Sequence, residues 1–230
     1  MNGWVRPAVA ELIGAYGLIF MGAGSIIVTG GKELIVIAFA HGLAIALGVL
    51  ALGKFSGGHF NPAVTLGFLA TRKIGLKMAA VYIIAQLLGG VLAGFSLVYF
   101  FPPEAVAAVS LGNPALAPNV SVISGIFIEM VLTFFLVTVI FGTAVDPRGP
   151  NLIAGFAIGL TITMDILAGG PLTGAAMNPA RAFGTAVSGG LFQVPGNLFA
   201  NHLVYWIGPI VGGVFAALLY DVLFMEKSKT

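Results

Sequence analysis

The residues able to do chemistry in this chain are few, and the most informative come in pairs. Asn61-Pro62-Ala63 and Asn178-Pro179-Ala180 repeat the same three letters 117 positions apart. Asn followed by Pro is a strong helix start, with Asn as N-cap and Pro at the first helical position. The Asn side-chain oxygen then turns back to N–H groups of its own helix, which leaves the amide NH₂ donors free. A helix N-terminus also carries roughly half a positive elementary charge. Two such ends facing each other would repel cations and donate to one small polar molecule. A water held this way accepts from both amides and points both hydrogens away. A proton relay through that water is interrupted, and the dipole ends supply the electrostatic barrier.

The elements that must position these residues follow from the composition. Of 230 residues, 59% are hydrophobic and only 8% are charged, against about 25% in an ordinary soluble domain. That excludes a soluble enzyme and a disordered chain, and reads as an integral membrane protein. The net charge of +2 comes without a basic block, so no nucleic-acid partner is expected. Spanning the bilayer takes about 20 mainly apolar residues. Six stretches qualify, at roughly 8–28, 34–53, 78–100, 121–142, 151–169 and 202–224. The segments Pro62–Thr71 and Pro179–Ser188 are too short to span and read as half-helices, tolerable at membrane depth only where they line a cavity or are buried in protein.

The pairing extends along the chain. Glu11 and Glu129 are 118 apart, and Phe39-Ala-His-Gly42 and Phe156-Ala-Ile-Gly159 are 117 apart. Each half reads as helix, helix, half-helix, helix. Three spans per half is odd, so the second half enters from the opposite face: an inverted-topology repeat. The expectation is an all-α membrane protein with six transmembrane helices and two re-entrant half-helices. It forms a single channel domain over 1–230, with repeats of approximately 1–110 and 111–230. With a cytoplasmic N-terminus, Arg6, Lys54, Arg72, Lys73, Lys77, Arg148, Lys227 and Lys229 lie inside and only Lys32 and Arg181 outside. The positive-inside bias therefore puts both termini in the cytoplasm.

A carboxylate in the bilayer costs ~2.5–3.5 kcal/mol even on the lenient insertion scale. Glu11 and Glu129 are accordingly expected to accept backbone N–H groups of the irregular loop in their own half. Arg181, three residues after Asn178, is a permanent charge with a planar fork of donors, suited to holding water and opposing cations. His59, two before Asn61, reads equally as a loop support and a pore-lining group. Asp165 reads as an outer-vestibule residue or a partner of a loop donor. The absence of cysteine removes disulfides, thiolate metal sites and Cys nucleophiles. No metal or cofactor is expected, and no ordered nucleophile–base–orienter set supports an enzyme.

The runs Ser56-Gly-Gly-His59-Phe-Asn61-Pro62-Ala63-Val64-Thr65-Leu-Gly67 and Thr173-Gly-Ala175-Ala-Met-Asn178-Pro179-Ala180-Arg181-Ala-Phe183-Gly184 resemble the two signature loops of the aquaporin (major intrinsic protein) family. The glutamates of spans one and four and Tyr205-Trp206-Ile-Gly208-Pro209 also match, so the resemblance covers essentially the whole chain. It implies a right-handed six-helix bundle with one pore per subunit, and a homotetramer. The family's four-residue filter falls on His41, Ile166, Ala175 and Arg181. Water-only members carry an aromatic at the first position and His at the second. His first and Ile second is a pattern similar to plant vacuolar and some archaeal members. Glycerol channels carry Asp directly after the motif's Arg. Here that residue is Ala182, and Ala186 stands where they carry a basic residue. The overall resemblance is to the water-channel type of archaeal and bacterial members.

These readings point to a passive channel in the cell membrane. It would pass water and small neutral solutes such as ammonia and hydrogen sulfide, glycerol slowly, and would exclude protons and ions. Its partners are the permeants and the lipid bilayer. The competing readings are a glycerol facilitator and a junction protein without flux. A proton-coupled transporter would use Glu11, Glu129, Asp165 and His41 as a relay. The paired Asn half-helix ends favour neutral permeants.

Overall fold

The computed structural model describes residues 3–226 and is all-helical. Helices α1 (Val5–Thr29), α2 (Leu34–Ser56), α3 (Pro62–Ala70) and α4 (Leu76–Phe100) make the first half. A short α5 (Pro103–Ala108) lies in the connection to the second. Helices α6 (Val122–Ile140), α7 (Ala154–Thr173), α8 (Pro179–Leu191) and α9 (Val204–Leu223) complete it. Among the described residues, six helices are long and apolar enough to cross a membrane, α6 being continued by one wide turn through Val145. Their outward positions carry large apolar side chains such as Leu47, Ile84, Phe127, Phe156 and Phe215, all exposed. That is the expected surface of helices whose solvent is lipid.

The packing follows the inverted repeat. Helix α1 lies against α2 and α4, and α6 against α7 and α9, while α2 and α7 join the halves. The last contact is a backbone-to-backbone approach: a Cβ on Gly42 would meet the Gly159 carbonyl, and one on Gly159 the Gly42 carbonyl. Gly212 seats against the Met130 backbone, and Gly90 against Ala180 and Gly184. Small residues permit this closeness where lipid supplies no hydrophobic drive between helices.

The expected spans are all present, with shifted ends. The fifth reaches Thr173 and does not stop at 169, although Pro171 lies inside it. Proline that near the C-terminus removes little of the helix ladder, and the left-handed Gly174 closes the last turn onto Gly170. The second half-helix runs three residues further, to Leu191. The connection 101–121 holds more structure than the sequence suggests. Asn113 accepts from Thr185 Oγ1 at 2.9 Å and donates to the Leu198 carbonyl at 3.0 Å, tying this connection to α8 and to the loop before α9.

Basic side chains gather at the end of the bundle where α2 ends and α9 ends. Lys73 pairs with Asp221 at 2.7 Å. Arg148 pairs with Asp146 at 2.7 Å and Glu226 at 3.1 Å, and also donates to the Phe224 carbonyl. Lys227 and Lys229 lie outside the described residues.

Candidate functional site

The site is built from two loops that enter the bundle from opposite faces. Each loop ends in an extended Asn that caps a half-helix, as the Asn–Pro spelling predicts. Asn61 Oδ1 accepts from the Ala63 N–H at 2.9 Å, and Asn178 Oδ1 from the Ala180 N–H at 2.9 Å. Pro62 and Pro179 occupy the first helical positions, where no N–H is required.

The structure adds an exchange that the sequence does not reveal. Asn61 Nδ2 donates to the Met177 carbonyl at 2.8 Å, and Asn178 Nδ2 donates to the Phe60 carbonyl at 3.0 Å. The amide donors are therefore not wholly free. Each amide has two N–H groups; one braces the opposite loop and one remains for the cavity.

Phe60 and Met177, immediately before the two Asn residues, both hold left-handed backbone, with φ of 50° and 51°. Such a conformation costs a non-glycine residue about 1–3 kcal/mol and persists only where its surroundings enforce it. The enforcing groups are the two glutamates. Glu11 accepts from the His59 N–H at 3.0 Å and the Phe60 N–H at 2.6 Å. Glu129 accepts from the Ala176 N–H at 2.9 Å and the Met177 N–H at 2.7 Å. Both carboxylates are fully buried. Gln86 Nε2 adds a donor to Glu11 at 2.7 Å, and Thr173 Oγ1 adds one to Glu129 at 2.7 Å. Two tyrosine hydroxyls close the loop entrances in the same way in each half. Tyr82 donates to the Ser56 carbonyl and Tyr205 to the Thr173 carbonyl, both at 2.8 Å.

The two loops face a narrow cavity with about 30 Å³ of free space. A single water needs roughly 10–15 Å³ on this measure, so the space suits a short file of waters. His41, His59, Asn61, Ile166, Ala175, Asn178 and Arg181 line it together. Ala63 and Ala180 sit fully buried behind them. The opposite wall is apolar, with Leu18, Ile45, Ile158 and Ile162. His41 Nδ1 bonds the Ile37 carbonyl at 2.8 Å. Arg181 is 2% exposed, and its Nη1 has no protein partner among the described residues. An unpaired buried donor in a polar cavity calls for water.

The sequence candidates divide accordingly. The four positions expected to form the filter, His41, Ile166, Ala175 and Arg181, meet both Asn residues in one cavity. Glu11 and Glu129 stand behind it as loop supports. His59 does both jobs, since it lines the cavity while its ring packs on Phe68 and Tyr82, with centroids 4.2 and 5.3 Å away. Asp165 joins neither group: it is buried, lies off the cavity wall, and its Oδ2 has no partner among the described residues. Nothing in the structure explains it. Thr65, Gln86 and Tyr82 do not stand out in the sequence. The one signal available is a polar side chain inside an otherwise apolar span.

Comparison with known proteins decides the family. The model of the major intrinsic protein family matches residues 2–220. The chain belongs to the major intrinsic protein family. Two relatives within this family are plant proteins: aquaporin TIP4-4 of Zea mays, 43% identical over 98% of this chain and 89% of its own length, and aquaporin TIP2-1 of Arabidopsis thaliana, 38% identical over 98% and 90%. Among solved structures, the X-ray structure of the aquaglyceroporin from Plasmodium falciparum superposes with a TM-score of 0.87 at 27% identity, covering 96% of each chain. The major intrinsic protein fold thus accounts for the six spans and the two re-entrant half-helices. Membership also makes this chain a multi-pass membrane channel and not an enzyme.

Proposed function

We propose that this chain is a passive channel for water, with the cavity between Asn61 and Asn178 as its pore. The observation that carries the reading is the mutual bracing of the two Asn side chains, which holds two helix N-termini against one narrow cavity. Opposed N-termini repel cations, and the remaining amide donors suit a neutral polar molecule. The names of the plant relatives, which are aquaporins, support the same permeant. Glu11 and Glu129 are committed to the loops by short hydrogen bonds, which speaks against a proton relay through them.

The filter reading is part of the proposal. His41 and Arg181 supply two polar walls and Ile166 and Ala175 two apolar ones. The opening then favours water with small neutral solutes such as ammonia and hydrogen sulfide, and passes glycerol slowly. The domain is a single channel unit over 1–230 in the cell membrane. Both termini are cytoplasmic, the cytoplasmic face being the one where Lys54, Lys73 and Arg148 gather, and the chain assembles as a homotetramer.

Stopped-flow light scattering on proteoliposomes tests this directly. Under a sucrose gradient, shrinkage should be much faster than in protein-free vesicles. Under a glycerol gradient, re-swelling should be slow. Saturable accumulation against a gradient, or no water flux at all, would overturn the reading.

A further inference from the structure

Around the first loop lies a polar chain with no counterpart in the second half. It runs from Glu11 through Gln86 and Thr65 to His59, and all four side chains are buried. Thr65 Oγ1 has three neighbours. It donates to the Asn61 carbonyl at 3.0 Å, accepts from Gln86 Nε2 at 3.0 Å, and meets His59 Nδ1 at 3.1 Å. A hydroxyl has one proton and two lone pairs. The Asn61 carbonyl, which also accepts the Thr65 N–H at 3.0 Å, is the pure acceptor among the three and is the proton's natural destination. The amide occupies one lone pair: Nε2 donates both to Thr65 and to the Glu11 carboxylate, while Oε1 has no partner among the described residues. With the hydroxyl proton on that carbonyl, a lone pair is left for His59, and the imidazole then arrives with its proton on Nδ1. The second ring nitrogen, Nε2, then carries a bare lone pair. Among the described residues no protein group bonds it, and the ring lines the cavity.

We propose that Thr65 is a positioning residue for permeation. Its hydroxyl, with Gln86 on the second lone pair, holds His59 in the Nδ1–H form and stands Nε2 in the pore as a hydrogen-bond acceptor. His41 reaches the same state by a separate route. Its Nδ1 meets the Ile37 carbonyl, which can only accept, so its Nε2 is bare as well. His41 stands in the first third of α2 and His59 beyond its last turn, with the Asn pair between. A permeating water therefore donates to one imidazole, accepts from the amides, and donates to the other imidazole. In the second half Ala182 takes the place of Thr65 and Pro209 that of Gln86, so no such device is possible there.

This inference rests on the water-channel reading, and the test separates the two. The chain has three histidines, so nitrogen-15 solid-state NMR on ring-labelled protein in lipid, with His41→Ala and His202→Ala to remove the other signals, reports His59 alone. The wild-type Thr65 background should show one tautomer, protonated at Nδ1. Thr65→Val should give a mixture of tautomers, and Thr65→Ser should restore one. A His59 ring protonated at Nε2 with Thr65 present would overturn the proposal, whether or not the protein conducts.

The flux arm is a double-mutant cycle scored per folded protein. Thr65→Val should lower water permeability at least threefold when His59 is present, because the released ring can swing into the narrow cavity. In a His59→Ala background the same substitution should change permeability less than 1.5-fold. Equal losses in both backgrounds would mean that Thr65 acts on the helix and not through the imidazole. Absence of water flux from the wild-type protein would instead remove the channel reading.

Discussion

At the scale of single residues, the two buried glutamates settle how a polar loop survives inside a membrane protein. Each carboxylate holds the N–H of a left-handed residue, Phe60 or Met177, and so stabilises a backbone that would not form alone. Glu129→Gln replaces one acceptor oxygen with a donor facing a backbone N–H. Leaving one buried donor unmade costs about 1–3 kcal/mol, so the melting temperature in detergent should fall by several degrees and water flux with it. Glu129→Asp should not rescue, because the shorter side chain cannot reach both N–H groups. The proposed filter gives a second prediction. His41→Ala should raise glycerol flux relative to water flux, and Ile166→His should lower it, at equal protein content in the vesicles. Unchanged ratios in both variants would place the constriction elsewhere. Much of this site was legible in the sequence, because the Asn and Glu residues recur at matched positions in an apolar background. The bracing of Asn61 on Met177 was not legible, since backbone carbonyls leave no trace in residue type. The role of Thr65 was hidden for a similar reason, a threonine in a helix being ordinary until its three partners are seen.

Among the elements, the crossing of α2 and α7 is the tightest joint between the halves. Gly159→Leu drives side-chain atoms into the Gly42 carbonyl and the Ala46 Cβ, which would stand 2.7 Å from a Cβ at this site. Neither helix can yield without moving Ile166 or His41. The variant should fail to give a monodisperse, water-conducting protein. Gly17, on the outer face of α1, has open space where a Cβ would stand, with no atom within 4 Å. Gly17→Ala should fold normally and melt slightly higher, in line with the roughly 0.5–1 kcal/mol that mid-helix glycine costs relative to alanine. The loop after α6 supplies a pH prediction. Arg148 hydrogen bonds hold the Asp146 carboxyl well below the usual carboxylate range, with Tyr220 contributing at 3.2 Å. A depressed folded-state pKa contributes stability that is fully present above the unfolded value and is lost as pH falls through the folded one. The difference in melting temperature between wild type and Asp146→Asn should thus be constant from neutral pH to about 4, near the ordinary aspartate value, and should shrink below it. The span positions could be read from apolar runs, but their ends could not. Caps such as Gly174 and Gly57 depend on left-handed backbone, which glycine permits and does not dictate.

For the whole molecule, the absence of cysteine has a direct consequence. Mercurials act on thiols, so water flux should persist at micromolar mercury, and a flux abolished by mercury and restored by a reducing thiol would contradict the composition. The inverted repeat carries a further consequence, for how the protein is made. The Phe60 carbonyl and the Asn61 amide are satisfied by Asn178 and Met177, which leave the ribosome well over a hundred residues later. At ~5–20 residues per second, the first loop waits on the order of ten seconds for the partners that complete it. During that interval α3 lacks both the bonds that brace its loop and α9, the helix it packs against most. The pore is therefore completed late, and a chain cut short before Asn178 lacks Asn178 and Arg181 from the cavity wall and the bonds that brace the first loop.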